Sequence, residues 1–368
     1  MRDSQPRVLH LCDNREGVAE SLAALAPAFT AVGWNATIGV LGRCAISNEL
    51  RAARVDVVEF AGRGHADPLM WGRLARRLRK DRPALIHAWG VPATMAALLT
   101  RPRRPRVPVA ATLDLRDAAV TWTPRVLRSL APQLAAVIAA DEPTQRSLAS
   151  MLGDVARRSP AAVIPPPFAP LPPPAASRAE AFAHWNFPAE ARLILTAGRL
   201  QRIAYVDEAI WAYELVRVLH PGTRLAIAGA GPDRERLERF ARQVSDPECI
   251  VFLGDQRDEL SAAMAAAEVY WQLGPSVGTP PGLAQAMLAG KPIVASDAAV
   301  HGTLAAGDAL AIVPQGGRAE ATRATDDFLQ DAELAAKYAA AARQRATERF
   351  AVEKAADAYA ALYAAAAS

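Results

Sequence analysis

The chain has 368 residues, of which 51% are hydrophobic and 22% are charged, and its formal net charge is +4. This length exceeds what one compact core usually accommodates and predicts two domains. No run approaches the roughly 20 apolar residues of a membrane-spanning helix. Charged residues also follow the first apolar segment at once, which argues against a signal peptide. We therefore expect a globular, cytoplasmic protein.

The cysteines and histidines are too scattered to predict a disulfide framework or a metal site. Cys12, Cys44 and Cys249 are far apart and odd in number, whereas disulfide frameworks and zinc sites need several closely spaced groups. The six histidines likewise lack the spacing of metal ligands. The sequence therefore predicts that no metal is bound.

The charge is distributed unevenly along the chain. Residues 1–172 contain 23 Arg and Lys against 14 Asp and Glu, and the remainder contains 19 against 24. Two arginine-rich stretches, at 73–80 and 101–106, contribute much of this excess. A basic surface attracts an anionic membrane or an acidic acceptor, although a solvated helix face and a loop have the same composition. Nucleic acid is not expected, because no aromatic residues or binding motif accompany the arginines.

Short β-branched or apolar runs alternate with helical patterns through the first half. Helices are predicted at 18–32 and 68–79, among others. Strands that alternate with helices pair in parallel, because parallel neighbours need a crossover connection. The predicted strands are 8–11, 37–41, 55–60, 85–88, 109–112, 136–139 and 162–164.

A proline-rich stretch separates the two halves. Residues 160–174 read PAAVIPPPFAPLPPP, with eight prolines in fifteen residues. Such a stretch continues neither a helix nor a central strand and favours a stiff, extended connector. We therefore predict a first domain over 1–172, a second over 175–347 and a C-terminal helical segment over 348–368.

The second half repeats the same alternation. Several of its strands end in glycine-containing turns, and ligands of open parallel sheets bind beyond the carboxyl ends of the strands. The sequence therefore predicts two Rossmann-like, doubly wound domains that face each other across a ligand cleft. Strands are predicted at 193–197, 225–228, 250–253, 269–272, 293–295 and 310–313, and helices at 206–219, 233–244, 257–267 and 282–289.

Three segments of the second half carry candidate ligand-binding residues. Arg199 directly follows a predicted strand, where a guanidinium can bind phosphate oxygens through two hydrogen bonds. The turn 228–233 contains two glycines that allow close backbone approach at a helix N-terminus. The loop 274–282 precedes a helix that carries Gln285. Each segment also has an ordinary interpretation, as a paired surface arginine, a strand-to-helix turn or a capped helix.

Together these segments resemble family 4 of the GT-B glycosyltransferases. The resemblance covers about 193–364 well and the first half loosely. The matching motifs are Gly198-Arg199-Leu200, Gly229-Ala230-Gly231-Pro232, Phe252-Leu253-Gly254, Pro275-Ser276, the stretch from Gln285-Ala286-Met287 to Pro292-Ile293-Val294, and Glu348-Arg349-Phe350 followed by a helix with Tyr359.

The resemblance implies retaining transfer of a sugar from a nucleotide diphosphate sugar, without a cofactor or metal, to an unidentified glycan, lipid or small-molecule acceptor. It also implies a C-terminal helix that packs back onto the first domain. Asp114 and His87 become candidates for catalysis, and Gly17 for the first-domain loop. The residues implied to bind the donor are Arg199, Arg202, Gly229, Gly231, Ser276, Gly278, Thr279 and Gln285.

The sequence departs from the family where the charged groups of the site are expected. The family's two glutamates align with Val277 and Gln285, and its phosphate-binding lysine aligns with Ala204. Because electrostatic stabilisation of developing charge is often a large catalytic contribution, two hypotheses remain. The chain is either a divergent transferase, with Arg202 replacing the lysine, or a degenerate relative that binds a nucleotide or partner without turnover. A nucleotide-sugar epimerase matches the motifs less well.

His87 has two interpretations of its own. It lies near the end of the predicted strand 85–88 and matches the family's usual histidine-bearing strand end, so that in a working transferase it would face the donor sugar or the acceptor. A histidine on a strand is, however, also typical of a packed and hydrogen-bonded core residue. Both interpretations remain open at the level of sequence.

Overall fold

The computed structural model describes residues 5–13, 17–42, 47, 50–51, 54–62, 67–114, 123–153, 161–276 and 278–367. The chain divides into two compact units. Unit 1 comprises Met1–Ala169 together with Phe350–Ser368, and unit 2 comprises Pro170–Arg349. The proline-rich stretch at 160–174 therefore contains the first crossing from one unit to the other.

Unit 1 is built on a seven-stranded sheet with the order β3-β2-β1-β4-β5-β6-β7. Every pair of neighbouring strands is parallel. The strands are β1 (Arg7–Cys12), β2 (Asn35–Leu41), β3 (Val57–Phe60), β4 (Leu85–Trp89), β5 (Val109–Leu113), β6 (Ala136–Ala139) and β7 (Ala162–Val163), and the helices between them are α1 (Val18–Ala31), α2 (Pro68–Asp81), α3 (Val91–Thr100), α4 (Thr123–Leu130) and α5 (Glu142–Leu152).

Side chains of β1 alternate between two hydrophobic cores, one on each face of the sheet. Leu9 and Leu11 pack into the core that contains residues of α2 and α3. Val8 and Cys12 pack into the opposite core with residues of α1. Because successive side chains of a strand point to opposite faces, a sheet covered on both sides needs apolar residues at nearly every position. This explains the nearly continuous apolar runs in the sequence.

Unit 2 is built on a six-stranded parallel sheet with the order β10-β9-β8-β11-β12-β13. Its strands are β8 (Arg192–Ala197), β9 (Thr223–Ala228), β10 (Ile250–Gly254), β11 (Val269–Gln272), β12 (Ile293–Ser296) and β13 (Ala311–Val313). Its helices are α6 (Arg178–His184), α7 (Val206–Leu219), α8 (Arg234–Val244), α9 (Arg257–Ala266), α10 (Pro281–Leu288), α11 (Ala299–Leu304), α12 (Arg318–Gln330) and α13 (Ala332–Arg349).

The last helix, α14 (Val352–Ala367), belongs to unit 1 although it follows unit 2 in the chain. It packs against α1 and β4, and its Tyr359 and Tyr363 are fully buried in the same core as Phe29. The predicted return of the C-terminal helix to the first domain is therefore confirmed. Within the described ranges, no helix is both long enough and apolar enough to span a membrane.

Candidate functional site

The strand order of unit 2 reverses between β8 and β11. From β8 the chain proceeds outward to β9 and β10, and it then returns to form β11 on the other side of β8. At such a switch point the loops after the two central strands diverge and leave a crevice at the carboxyl edge of the sheet. The segments 198–205 and 273–280 are these two loops, and they contain most of the predicted donor-binding residues.

Two arginines in the loop after β8 are exposed and have no ion-pair partner among the described residues. These are Arg199 and Arg202, the latter in a single 3-10 turn, Arg202–Ala204. Other arginines of unit 2 are neutralised locally, such as Arg236 by Asp207 and Arg318 by Glu208. The switch point therefore presents uncompensated positive charge, which suits an anionic ligand.

The glycines after β9 are required by the packing of one loop on another. A Cβ on Gly229, whose φ is +128°, would lie 1.9 Å from the carbonyl oxygen of Gly198, and one on Gly231 would lie 2.1 Å from that of Leu200. The two loops are also joined by a 2.9 Å hydrogen bond from the Leu200 N–H to the Ala230 carbonyl. The sequence pointed to close approach by phosphate, and that role stays a prediction. The described contact is between backbones.

A second close contact between loops positions Ala204, which aligns with the family's phosphate-binding lysine. A Cβ on Gly274 would lie 2.2 Å from the Ala204 carbonyl oxygen, so the 3-10 turn rests directly on the loop after β11. Nearby, Tyr270 donates a 3.1 Å hydrogen bond to the Ala197 carbonyl. These contacts hold the two switch-point loops against each other. The 3-10 turn that contains Arg202 is therefore supported by the loop after β11.

Ser276 is held by a histidine, His301, that belongs to no sequence motif. His301 lies on α11, with its Nδ1 2.9 Å from the Ser296 carbonyl oxygen and its Nε2 2.9 Å from Ser276 Oγ. Burial lowers the pKa of His301, so the ring is neutral at physiological pH. Nδ1–H then donates to the carbonyl and Nε2 accepts the Ser276 proton, which leaves Ser276 Oγ with lone pairs to accept a ligand hydroxyl.

The remaining predicted donor residues lie between β11 and α10. Gly278 and Thr279 are partly exposed in the loop, whereas Gln285 is buried on α10. A neutral amide at this position can hydrogen-bond a sugar hydroxyl, although more weakly than a carboxylate. Val277 lies outside the described residues.

In unit 1 the strand order reverses between β1 and β4. Gly17, with φ +82°, immediately precedes α1. Asp13 and Asp114 directly follow β1 and β5, and both are largely buried, at 5% and 9% exposure. Asp114 was a candidate from the sequence. Asp13 was not, although its position directly after a buried strand at a switch point was the signal that could have found it.

His87 lies in the middle of an aromatic cluster. Its Nδ1 is 2.5 Å from the Tyr363 hydroxyl and its Nε2 is 2.7 Å from Thr112 Oγ1, and its ring stacks on Trp89 at 4.8 Å. Burial, with a smaller contribution from neighbouring His10, holds its pKa well below the usual range. Both ring nitrogens are thus already hydrogen-bonded within the core. This geometry favours the core interpretation, and the catalytic role of His87 stays a prediction.

Two parallel, doubly wound sheets, each with a switch point, and a C-terminal helix that completes the first unit define the GT-B fold. Solved structures agree. HepE of Anabaena in complex with UDP-glucose is 19% identical, with a TM-score of 0.79 over 97% of this chain and 98% of that one. Sucrose-phosphate synthase of Thermosynechococcus elongatus is 17% identical, with a TM-score of 0.76 over 98% of both chains. No curated protein sequence matches the chain.

Family profiles match both halves of the chain. The profile described as glycosyl transferases group 1 matches residues 177–345, and that described as glycosyltransferase family 4 matches residues 15–170. The chain therefore belongs to family 4 of the GT-B glycosyltransferases.

Proposed function

We propose that the protein transfers a sugar from a UDP-sugar to a glycan, lipid or small-molecule acceptor, with retention of configuration. The observation that carries the proposal is the pair of exposed arginines at the unit 2 switch point, Arg199 and Arg202, which have no ion-pair partner in the part of the chain that the structure describes. Three solved structures of HepE contain UDP, UDP with glucose, or UDP-glucose, which supports UDP as the nucleotide of the donor. Family membership supports the transfer reaction.

In the proposed reaction the bond between the sugar C1 and the diphosphate oxygen breaks, and a bond from C1 to the acceptor oxygen forms on the same face. The acceptor proton passes to a donor phosphate oxygen, so no side-chain base is needed. Arg199 stabilises the charge that develops on the leaving diphosphate, because a guanidinium can donate two hydrogen bonds to phosphate. Ser276 accepts a hydrogen bond from a donor hydroxyl, and Gln285 binds the ribose.

Loss of charge around the site supports a second candidate, a nucleotide-binding protein without turnover. Ala204 supplies no cation in the turn that carries Arg202, and Gln285 supplies no negative charge. Either change weakens electrostatic stabilisation of the transition state more than it weakens ground-state binding. This candidate therefore predicts measurable UDP affinity together with an absence of sugar transfer.

The test measures UDP binding by calorimetry beside hydrolysis and transfer from UDP-glucose and related donors. Arg199→Ala should lower UDP affinity roughly tenfold to a hundredfold, since a hydrogen bond to a charged group contributes about 1.5–3 kcal/mol. Arg242→Ala is the matched control, because Arg242 is also exposed and forms no ion pair with a described residue, but it lies on the last turn of α8. If both variants bind UDP as the parent does, the proposed donor site is wrong.

The same titration examines Arg202. If this side chain replaces the family's lysine, Arg202→Ala should weaken UDP binding further in the Arg199→Ala background. An unchanged affinity would leave Arg202 without a role at the diphosphate. Binding of UDP without turnover across a broad acceptor panel would favour the second candidate.

We also propose that the basic face of α2 contacts anionic lipid, which would place the enzyme at the inner face of a membrane. Exposed basic side chains on this helix include Arg76, Arg79 and Lys80. Each basic residue near an anionic surface strengthens binding about fivefold. Pelleting with phosphatidylglycerol vesicles should therefore fall in Arg76→Gln/Lys80→Gln. Pelleting that does not respond to anionic lipid would remove the proposal.

A further inference from the structure

The ring of His301 faces two oxygens on its Nδ1 side, and neither can give it a hydrogen. Nδ1 lies 2.9 Å from the Ser296 carbonyl oxygen and 3.3 Å from Ser296 Oγ. A carbonyl oxygen carries no hydrogen, and the Ser296 hydroxyl donates its own to the Gly274 carbonyl, at 3.0 Å. Nδ1 therefore carries the ring hydrogen and donates it to Ser296.

The opposite nitrogen of the ring then determines how Ser276 is bonded. His301 is fully buried, and burial lowers its pKa. In a neutral imidazole with a protonated Nδ1, Nε2 can only accept a hydrogen bond. Because Nε2 lies 2.9 Å from Ser276 Oγ, the single hydroxyl hydrogen of Ser276 is used in that bond. Ser276 is partly exposed on the loop after β11, and it can therefore offer a ligand at the switch point only its lone pairs.

The two switch-point loops consequently offer a ligand opposite kinds of hydrogen-bonding group. Arg199 and Arg202, on the loop after β8, have guanidinium groups that only donate, and such groups suit the oxygens of a diphosphate. Ser276, on the loop after β11, is an acceptor. An ionised phosphate oxygen has no hydrogen to donate, so the Ser276 lone pairs would repel it. A hydroxyl group has one, so Ser276 suits a hydroxyl of the ligand.

We propose that His301 is a positioning residue that fixes Ser276 as an acceptor, so that this point of the site selects a ligand hydroxyl and disfavours a phosphate oxygen. A serine without such a neighbour rotates its hydroxyl to donate to one partner or to accept from another, and it discriminates less between them. The inference rests on the proposed function, because a UDP-sugar supplies the hydroxyls. These belong either to the ribose or to the sugar, and the experiment distinguishes the two sources.

The first measurement compares UDP-glucose with analogues that each lack one hydroxyl, either of the ribose or of the glucose. Each ligand is titrated by calorimetry into the parent protein and into Ser276→Ala. Because other groups also contact the ligand, the informative analogue is the one whose loss of affinity disappears in Ser276→Ala. We expect one such analogue, which should bind the parent about threefold to tenfold more weakly than UDP-glucose, the range of a neutral hydrogen bond. The position of its missing hydroxyl identifies the source.

Two substitutions of His301 separate positioning from a merely structural role. His301→Asn places an amide near the position of Nδ1, so it can still donate to the Ser296 carbonyl but does not reach Ser276. His301→Gln places an amide oxygen near the position of Nε2, where it can accept the Ser276 hydrogen. The affinity ratio of UDP-glucose to the informative analogue should therefore fall towards one in His301→Asn and be retained in His301→Gln. A structural role would instead lower both affinities together and leave their ratio unchanged.

A control variant and a measurement without ligand complete the experiment. His220 is another hydrogen-bonded histidine of unit 2, with its Nε2 2.7 Å from Asp326 Oδ1, and His220→Gln should leave the affinity ratio unchanged. Nitrogen-15 NMR of the histidine rings shows which nitrogen of His301 is protonated, once its signal is assigned by its disappearance in His301→Gln. We expect the hydrogen on Nδ1. If thermal unfolding shows that His301→Asn does not fold, Ser276→Ala and the NMR spectrum still decide.

The outcomes distinguish this inference from the proposed function. A hydrogen on Nε2 of His301 would overturn the inference alone. So would binding of UDP-glucose in which no analogue's loss of affinity depends on Ser276, or in which that dependence persists in folded His301→Asn. A parent protein that binds neither UDP nor UDP-glucose would contradict the proposed function, and the inference with it.

Discussion

The two switch points share one topology but have opposite electrostatic character. In unit 1, His10 and His87 are paired neighbours on β1 and β4, and both are fully buried among aromatic rings supplied partly by α14. In unit 2, the loops beside β8 pack backbone against backbone and leave Arg199 and Arg202 in solvent. The comparison shows that the strand order of a parallel sheet determines where a crevice forms. The surrounding side chains determine whether the polar groups near it are buried in the core or remain available to a ligand.

Lowering the pH should produce the largest difference in stability between the two units. Burial lowers the pKa of His10 to about 3 and lowers the pKa values of His87 and His301. The unfolded chain binds protons near pH 6.5 that the folded chain does not, so stability falls as the pH drops below about 6.5. Each such histidine costs up to about 1.4 kcal/mol per pH unit. Unit 1 contains two of these three histidines, so its backbone amides should be the first to lose protection against hydrogen exchange.

Hydrogen exchange followed by mass spectrometry, corrected for intrinsic exchange rates, can resolve the units at neutral pH and about two units lower. Peptides from β1 and β4 should gain exchange before those from β8 and β9. Equal gains in both units, or a gain confined to unit 2, would show that the buried histidines do not control acid stability.

The second prediction concerns the close contact between the loops after β8 and β9 in unit 2. Gly229→Ala places a Cβ on the Gly198 carbonyl and requires φ +128° of a residue with a side chain, so we expect a loss of about 3 kcal/mol in the free energy of unfolding. Gly222→Ala is the control, since a Cβ there has no neighbour within 4 Å and should change stability by less than about 0.5 kcal/mol. Urea unfolding of both variants measures the difference. Equal stabilities would mean that the loops are not packed as described.

The third prediction concerns the aromatic cluster of unit 1. Tyr363→Phe removes the hydroxyl that lies 2.5 Å from His87 Nδ1 and leaves a buried ring nitrogen without that bond, at a cost of about 1–3 kcal/mol. Tyr338→Phe, whose ring packs on Phe328 in unit 2, is the matched control and should be nearly neutral. If Tyr363→Phe also abolishes sugar transfer while stability is unchanged, His87 has a catalytic role after all.

The smallest expected effect is an increase in the affinity for the UDP-sugar. Gln285→Glu restores the charge that the family carries at this position and should tighten UDP-sugar binding about fivefold, because bonds to charged groups exceed neutral ones by roughly 1 kcal/mol. Gln243→Glu introduces the same charge on the exposed face of α8 and should have no effect. Calorimetry on both variants decides the matter, and weaker binding by Gln285→Glu would indicate that the amide does not face the ribose.

Much of the fold is encoded locally and could be predicted from the sequence. The predicted helix 206–219 coincides with α7 because its apolar period is uninterrupted, and the alternation of strands with helices identified both parallel sheets. Strand ends shifted by a residue or two where flanking residues such as Arg192 continue the ladder. The exposure of Trp211, Leu215, Val218 and Leu219 on α7 could not be predicted, because an apolar residue in a helical pattern does not itself show whether its face is buried.

The candidate site was predicted less completely, because its contacts join distant parts of the chain. The bond between His301 and Ser276 spans 25 residues, and no spacing motif signals it. Gly229 looked like a phosphate-binding glycine, since sequence cannot distinguish approach by a ligand from approach by Gly198. His87 matched a family histidine, but its partner Tyr363 is 276 residues away.

The placement of α14 also constrains the order in which the chain becomes structured during synthesis. All of unit 2 leaves the ribosome before Tyr359 and Tyr363, which complete the core around Phe29 and His87. Unit 2 therefore has its whole sequence available first, while the earlier-made part of unit 1 waits with one apolar face uncovered. A chain shortened at residue 350 should therefore retain the whole sequence of unit 2 and leave that core of unit 1 without Tyr359 and Tyr363.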